Sequence, residues 1–314
     1  MQVTEAQNLL ASIDGRTKLA GSNKMEILLF SLGTSETFGI NVFKIREVTS
    51  TPAITRTPNM PHGVEGVIAL RGKIVPAVSL AKLVNLQGVP EETGSTMMIM
   101  EYSRHVLGFL VHDVDRIIRV DWEKIKPPES LLAGGDGLVT ALTETPDGKL
   151  VSILDVEQIL ANTFGEDPVG EITPATLDQN ARVFFVDDSA VARKKIVEVL
   201  DKMGVKYNQA TNGLEAWRLL EAEAGRNDHA GESLRDRIRL IMVDAEMPEM
   251  DGYVLTRTIK SDRRFAGIPV VMHSSLSSEA NRAMGQSVGV DAYVAKFDAA
   301  VLAETLRPLL LVRN

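Results

Sequence analysis

Five side chains in the second half of the chain have the types and positions for phosphoryl chemistry. Asp187 and Asp188 follow the apolar run 182–186, Asp244 follows 240–243, Ser274 lies just past 269–272, and Lys296 closes 290–295. Carboxylates without thiolate or imidazole at ligand spacing make a hard-oxygen site, which suits Mg²⁺ with several retained waters. A metal there offsets carboxylate repulsion and binds the oxygens of an incoming phosphoryl group. Asp244 can then act as an in-line nucleophile and form an acyl phosphate, with catalysis coming mostly from positioning and charge stabilisation. Lys296 supplies a point cation for the phosphate, and Ser274 supplies a hydroxyl donor. Taken singly, each residue has a plainer reading. An acid pair after a strand is most often a helix cap, a lysine a surface charge, a serine a loop hydroxyl, and Tyr293 a packing residue. Their joint placement sets them apart.

That placement depends on the elements that carry them. From 181 onward short apolar runs alternate with helical segments, one over 190–203 with Val191, Ile196, Val199 and Leu200 on its apolar face, and a last one over about 298–311. Continuous apolar runs alternating with helices predict a parallel sheet covered on both faces. Sites in such folds form beyond the carboxyl ends of the strands. Residues spread over more than a hundred positions are therefore expected to converge.

Composition narrows the remaining classes. The chain has 314 residues, 44% apolar and 24% charged, which is ordinary globular usage and room for about two domains. The lack of cysteine excludes disulfides, thiolate metal sites and cysteine nucleophiles. The net charge is −8, and residues 165–180 hold four acids, two prolines, two glycines and no base. This is linker composition, and it divides the chain into 1–164, an acidic linker 165–180, and 181–314. A flexible tether of that length would span ~20–24 Å. No basic face marks a nucleic-acid partner, no apolar run nears the ~18 residues of a membrane span, and the first residues lack a secretory core. A cytoplasmic protein is expected.

The first half reads as all-β, with short apolar runs such as 25–32, 64–70, 73–78, 96–102, 138–143 and 149–154 set between turn signals. It also repeats. The segment 38–45 matches 107–114 with Gly39 and Gly108 in step, and 72–75 matches 148–151. Each copy then continues through a capping residue, Ser79 or Asp155, into a helical turn. Two copies of a five-strand unit account for this. His62, His105 and His112 lack ligand spacing, and no nucleophile elbow is present. A binding module is expected.

The order of these runs, above all Gly66–Pro76 (GVIALRGKIVP), resembles a CheW-type chemotaxis coupling domain over about 25–162. The resemblance implies two intertwined small β-barrels that bridge chemoreceptors and a histidine kinase, with Arg71 on the functional surface. Residues 181–314 resemble a response-regulator receiver domain of the CheY type, through Asp187–Asp188, the stretch Val243–Gly252, Ser274–Ser275 and Tyr293–Lys296. That implies an α/β flavodoxin-like (βα)5 fold with a five-stranded parallel sheet. It also implies Mg²⁺ held by the acid pair, Asp244 and the backbone carbonyl of Glu246, with Ser274 and Tyr293 shifting on phosphorylation. Two departures stand out: Phe297 follows Lys296 in place of proline, and a charged stretch, Gly225–Arg239, precedes the acceptor strand. Glu246 and Leu276 occupy positions that tune dephosphorylation in receivers. The combination resembles a CheV-type protein. It implies a non-enzymatic adaptor regulated at Asp244, or alternatively a sink that drains phosphoryl groups from the kinase. An aspartate-nucleophile phosphatase would need an acid two residues after its nucleophile in the form of Asp; Glu246 and Ser189 stand there instead.

Overall fold

The computed structural model describes residues 24–89, 95–102, 105–126, 138–165, 168–174, 182–226, 233–275, 279–296 and 298–311. The chain divides into two compact units, Lys24–Glu166 and Asp167–Asn314.

Among the described residues the first unit has ten strands: β1 Lys24–Ser31, β2 Thr37–Asn41, β3 Ile45–Ser50, β4 Val64–Leu70, β5 Lys73–Ser79, β6 Thr96–Tyr102, β7 His105–Val111, β8 Asp113–Asp121, β9 Val139–Glu144 and β10 Leu150–Leu154. Helix α1 (Leu80–Leu83) follows β5, and α2 (Val156–Phe164) follows β10. One sheet has the order β8-β1-β2-β10-β9 and the other β3-β6-β7-β5-β4. Adding five to each strand of the first copy, and subtracting five from each of the second, turns one order into the other. The sequence repeat is therefore a structural duplication, and each sheet borrows strands from the other copy. The copies do not close separately; they are intertwined. Single bridges, Thr55 to Val67 and Lys126 to Leu142, join the outer strands of each sheet at equivalent places. Ser79 and Asp155 cap α1 and α2 through the backbone N–H groups of Lys82 and Gln158.

The apolar runs follow from this layout. Along β1, Ile27 and Leu29 point into one barrel with Ile118, Val151 and Ile153, while Leu28 and Phe30 point into a core shared by both sheets with Met98 and Phe109. Strand β6 does the same in the other barrel, with Met97 and Ile99 inside and Met98 and Met100 in the shared core. A strand buried on both faces reads as a continuous apolar run. The paired glycines sit where the barrels are tightest. A Cβ on Gly39 would lie 2.6 Å from Ile27 Cγ2 and 2.9 Å from Val151 Cγ1, and one on Gly108 would lie 2.5 Å from Met97 Sδ.

The second unit is a five-stranded, all-parallel sheet of order β12-β11-β13-β14-β15. Its strands are β11 Arg182–Val186, β12 Lys206–Ala210, β13 Ile238–Val243, β14 Val270–Ser274 and β15 Ala292–Ala295. The helices are α3 Ala190–Met203, α4 Gly213–Ala224, α5 Leu234–Arg237, α6 Gly252–Ser261, α7 Glu279–Val288 and α8 Ala299–Leu311. Phe185, Leu240 and Met242 pack with α3 and α8 on one face, and Phe184, Ile241 and Val243 pack with α4 and α6 on the other. The sheet is thus covered on both sides. In the charged stretch before the acceptor strand, α5 forms under a Ser233–Asp236 capping box, and Arg237 binds the Glu223 carbonyl at 3.0 Å. The middle of that stretch, Leu276 and Phe297 lie outside the described residues.

One expectation needs correction. Composition predicts a flexible tether over 165–180, yet Val169 is 4% exposed inside the α3–α8 core and Ile172 packs at its edge. The described part of the linker, 168–174, is therefore receiver structure.

The duplication predicts unequal costs at equivalent glycines. Gly39→Ala meets two β-branched neighbours and should lower the stability of the first unit by ~1–3 kcal/mol. Gly108→Ala meets the flexible end of Met97 and should cost less. Calorimetry of the full chain should show only the first unit's transition moving, more for Gly39→Ala.

Candidate functional site

Parallel register sets the site. Val186 pairs with Val243, Val243 with Met272, and Ser274 with Ala295. The strands therefore end together, and Asp187, Asp244, Ser274 and Lys296 arrive at one edge. Four of the expected residues are buried there: Asp187, Asp244, Ser274 and Lys296. Lys296 Nζ lies 2.9 Å from Asp244 Oδ2 and 3.1 and 3.0 Å from Asp187 Oδ1 and Oδ2. Asp188 is exposed, and ligand atoms of Asp187, Asp188 and Asp244 lie within 4.8 Å of one another. The side chain of Glu246 is outside that cluster. Arg71 belongs to the first unit.

The local sequence holds the acids in place. Ser189 caps α3 through the backbone N–H of Ala192, and its own N–H donates to Asp187 Oδ1 at 2.9 Å. Arg193, one turn into α3, donates at 2.9 Å to the backbone carbonyls of both Asp187 and Asp188. On the acceptor side, the loop after β13 is closed by Gly252 N–H donating to the Ala245 carbonyl at 3.0 Å, and Asp251 caps α6.

Electrostatics make the cluster short of cations. Burial pushes the Asp244 carboxyl well above the usual carboxylate range, the Lys296 ammonium pulls it back, and Asp187 and Asp188 push it further up. The buried Asp187 and Asp244, with the exposed Asp188 beside them, outnumber the Lys296 ammonium, and a divalent cation would offset that negative charge. The donor set, oxygen only, fits a hard cation. On the far side of Ser274, burial pushes the Tyr293 phenol up to about 12, with the Ser274 and Tyr253 hydroxyls beside it acting the other way. The Tyr293 ring rests near Gly285 of α7, with the Arg282 guanidinium 5.4 Å from its centroid.

Three neighbours had no motif to mark them. Arg193 acts on main-chain oxygens, and its only sequence signal is a cation one turn after an acid pair. His273, buried with Nδ1 4.0 Å from Asp187 Oδ2, is the last residue before Ser274 on β14. Tyr253, buried on α6, reaches Tyr293 from a helix forty residues away in sequence.

In the first unit, Arg71 forms the tip of the β4–β5 hairpin. Leu70 pairs with Lys73, and Arg71 and Gly72 have φ of 50° and 78°, the left-handed pair of a tight hairpin turn. The Arg71 side chain is 77% exposed and pairs with Glu47 at 2.8 Å. Ile74 beside it is also exposed.

Comparisons with known proteins agree with both units. Residues 26–164 match the CheW-like domain, and residues 183–307 match the response regulator receiver domain. Chemotaxis protein CheV3 of Helicobacter pylori is 31% identical over 279 residues, covering 87% of this chain and 88% of that protein. Chemotaxis protein CheV1 of the same organism is 30% identical over 313 residues, covering 91% and 94%. Chemotaxis protein CheW of Klebsiella aerogenes is 30% identical over 155 residues, covering 49% of this chain and 92% of its own length. The chain belongs to the CheV family of chemotaxis proteins, and it is a coupling adaptor joined to a receiver domain.

The raised Asp244 carboxyl has a consequence for stability. A carboxyl that titrates higher when folded stabilises the fold below its unfolded value, near 3.8, and this contribution is lost as pH rises through the folded value. Asp244→Asn removes this titration, so the variant should gain stability relative to the wild type as pH rises from 4 to 7 in metal-free buffer. The advantage should vanish below pH 4 and shrink on adding Mg²⁺. Melting curves across pH, with and without Mg²⁺, check this.

Proposed function

We propose that the second unit accepts a phosphoryl group at Asp244 from a phosphohistidine of a chemotaxis histidine kinase. Its occupancy then sets how the first unit couples that kinase to chemoreceptors. In this reading residues 1–164 carry the coupling and 181–314 receive, with 168–174 packed as part of the receiver. The observation that carries it is the single ammonium of Lys296 within 3.1 Å of both Asp187 and Asp244 at the strand ends.

A carboxylate oxygen of Asp244 attacks phosphorus, and the P–N bond to the donor imidazole breaks. The electron pair returns to the ring nitrogen, which then takes a proton from solvent. Lys296 holds one phosphoryl oxygen by charge, and the Ser274 hydroxyl donates to another. Asp187, Asp188, Asp244 and the backbone carbonyl of Glu246 would hold Mg²⁺, which neutralises phosphoryl charge when bound. Arg193 keeps the acid loop in shape throughout. As Ser274 turns toward the phosphoryl group, the polar neighbour of the Tyr293 hydroxyl changes, and the ring can repack against α7. Each chain is labelled once, as an adaptor and not a turnover enzyme. No described helix is long and apolar enough to cross a membrane, and we place the protein in the cytoplasm beside its kinase.

Two outcomes test this. Asp244→Asn, and separately chelation of Mg²⁺, should abolish labelling by a phosphohistidine donor, while the variant stays folded; equal labelling of the variant would remove Asp244 from the mechanism. If labelling occurs and receptor-coupled kinase activity does not respond to it, the phosphate-sink role replaces regulation.

Arg71 is assigned to partner binding. An exposed pair such as Arg71–Glu47 contributes ~0–1 kcal/mol, so Arg71→Ala should leave the first unit's melting nearly unchanged. Binding to receptor–kinase assemblies in a pull-down should weaken about tenfold or more, as at an interface anchor.

A further inference from the structure

The segment 168–174, at the start of the second unit, is held by the receiver at four backbone carbonyls. The Lys202 ammonium, in the last turn of α3, donates to the carbonyl of Val169 and, at 3.3 Å, to that of Gly170. The Arg307 guanidinium on α8 donates to the carbonyls of Thr173 and, at 3.1 Å, Pro174. Between these clamps Val169 is buried with Ile196, Val199, Leu302 and Leu306, and Ile172 packs alongside. A stretch without regular secondary structure, with carbonyls met by two cations from two helices and an apolar anchor in their shared core, is held as a bound peptide in a groove would be. In sequence, four residues, 165–168, separate the end of α2 from the first clamped residue, Val169.

The groove is wired to the carboxylate site. Lys296, which bridges Asp187 and Asp244, lies two residues before Asp298, and Asp298 caps α8 through the backbone N–H of Val301. Leu302 and Leu306 of α8 line the groove, and Arg307 closes it. A phosphoryl group on Asp244 lengthens that side chain and gives the Lys296 ammonium a new partner. The strand end must then move or the pair must loosen, and α8 begins directly after it.

We propose that residues 169–174 form a strap that reads Asp244 occupancy through α8 and passes it to the chain leading into the coupling unit. The proposal rests on the reading that Asp244 accepts a phosphoryl group. It goes further in naming the element that responds and the surface it binds.

The experiment is hydrogen exchange of the full chain, with Mg²⁺ alone and with Mg²⁺ plus beryllofluoride as the phosphoryl mimic. Peptides covering 169–174 should be protected in the first state, and their exchange should change at least ~5-fold in the second, the lower end of common site-to-site couplings. Asp244→Asn should remove the change. The double variant Lys202→Gln/Arg307→Gln should lose protection of 169–174 in both states, while β13 keeps its protection and phosphoryl labelling stays within about twofold of the wild type. Absence of protection at 169–174 in the wild type overturns the strap. A response at Ser274 and Tyr293 with none at 169–174 overturns the coupling and leaves the phosphoryl reading standing. No beryllofluoride response anywhere in the receiver takes down both.

Discussion

The receiver depends on one buried ammonium. Lys296 sits between Asp187 and Asp244, all three out of solvent. Removing an ion from water costs several kcal/mol, and only close partners and hydrogen bonds repay it. The three groups come from three strands, β11, β13 and β15, with β14 between the last two. A one-residue slip of any strand would turn its charge to the other face of the sheet and leave the remaining charges unpaired. Strand register and site chemistry are therefore the same constraint. With three carboxylates against one ammonium, the balance favours a cation from outside. A site tuned this way is poised: it gains by binding a metal, and it gains again when an anionic phosphoryl group gives Lys296 a partner that is not already shared.

The first unit solves a different problem. Barrels of five short strands enclose little volume, and a domain that small buries a poor fraction of its surface. Exchanging strands between the copies creates a third core between the sheets, containing Leu28, Phe30, Met98 and Phe109, which neither copy has alone. Mixed parallel pairs, β10 with β2 and β5 with β7, are the mark of that exchange. They also explain the two glycines. Gly39 and Gly108 lie on the strands that join the copies, at the point where facing side chains crowd the barrel interior.

What could be read from the sequence follows from burial. Strands β1, β6, β13 and β14 are buried on both faces and read as apolar runs. Strand β12, Lys206–Ala210, is an edge strand with mostly exposed polar residues, and no run announces it. Asp187, Asp188, Asp244, Ser274 and Lys296 were legible because each ends a run, and ends of parallel strands meet. Arg193 was not, because it serves backbone carbonyls, which have no residue identity to match. His273 and Tyr253 were hidden by distance, since their partners come from other elements. The linker misled for a related reason. Acids, prolines and glycines between 165 and 180 do describe a connector, but Val169 and Ile172 are the residues in it that seek a core, and the sequence alone does not show that α3 and α8 leave a groove for them.

The properties of α8 itself bear on how such a groove would move. Thirteen residues at 1.5 Å each make a rod of ~20 Å, long enough to carry a shift at Lys296 to a point well away from the carboxylates. Pro308 lies inside the helix. It has no N–H to donate to the carbonyl four residues back, and its ring crowds that carbonyl, so the helix is weakened there. Arg307 is the residue just before this break. The bond that is missing would have closed the turn from Glu304 to Pro308, so the helix is regular from its cap at Asp298 to Glu304 and soft in the turn that carries Arg307. A displacement entering at Lys296 reaches Leu302 and Ala303, which share a core with Val169, before the soft turn can absorb it. Val301, by contrast, faces solvent on the first turn, so the buried stripe of Leu302, Leu306 and Leu310, more than the exposed face, confines α8 to sliding or rotating along the groove it shares with Val169.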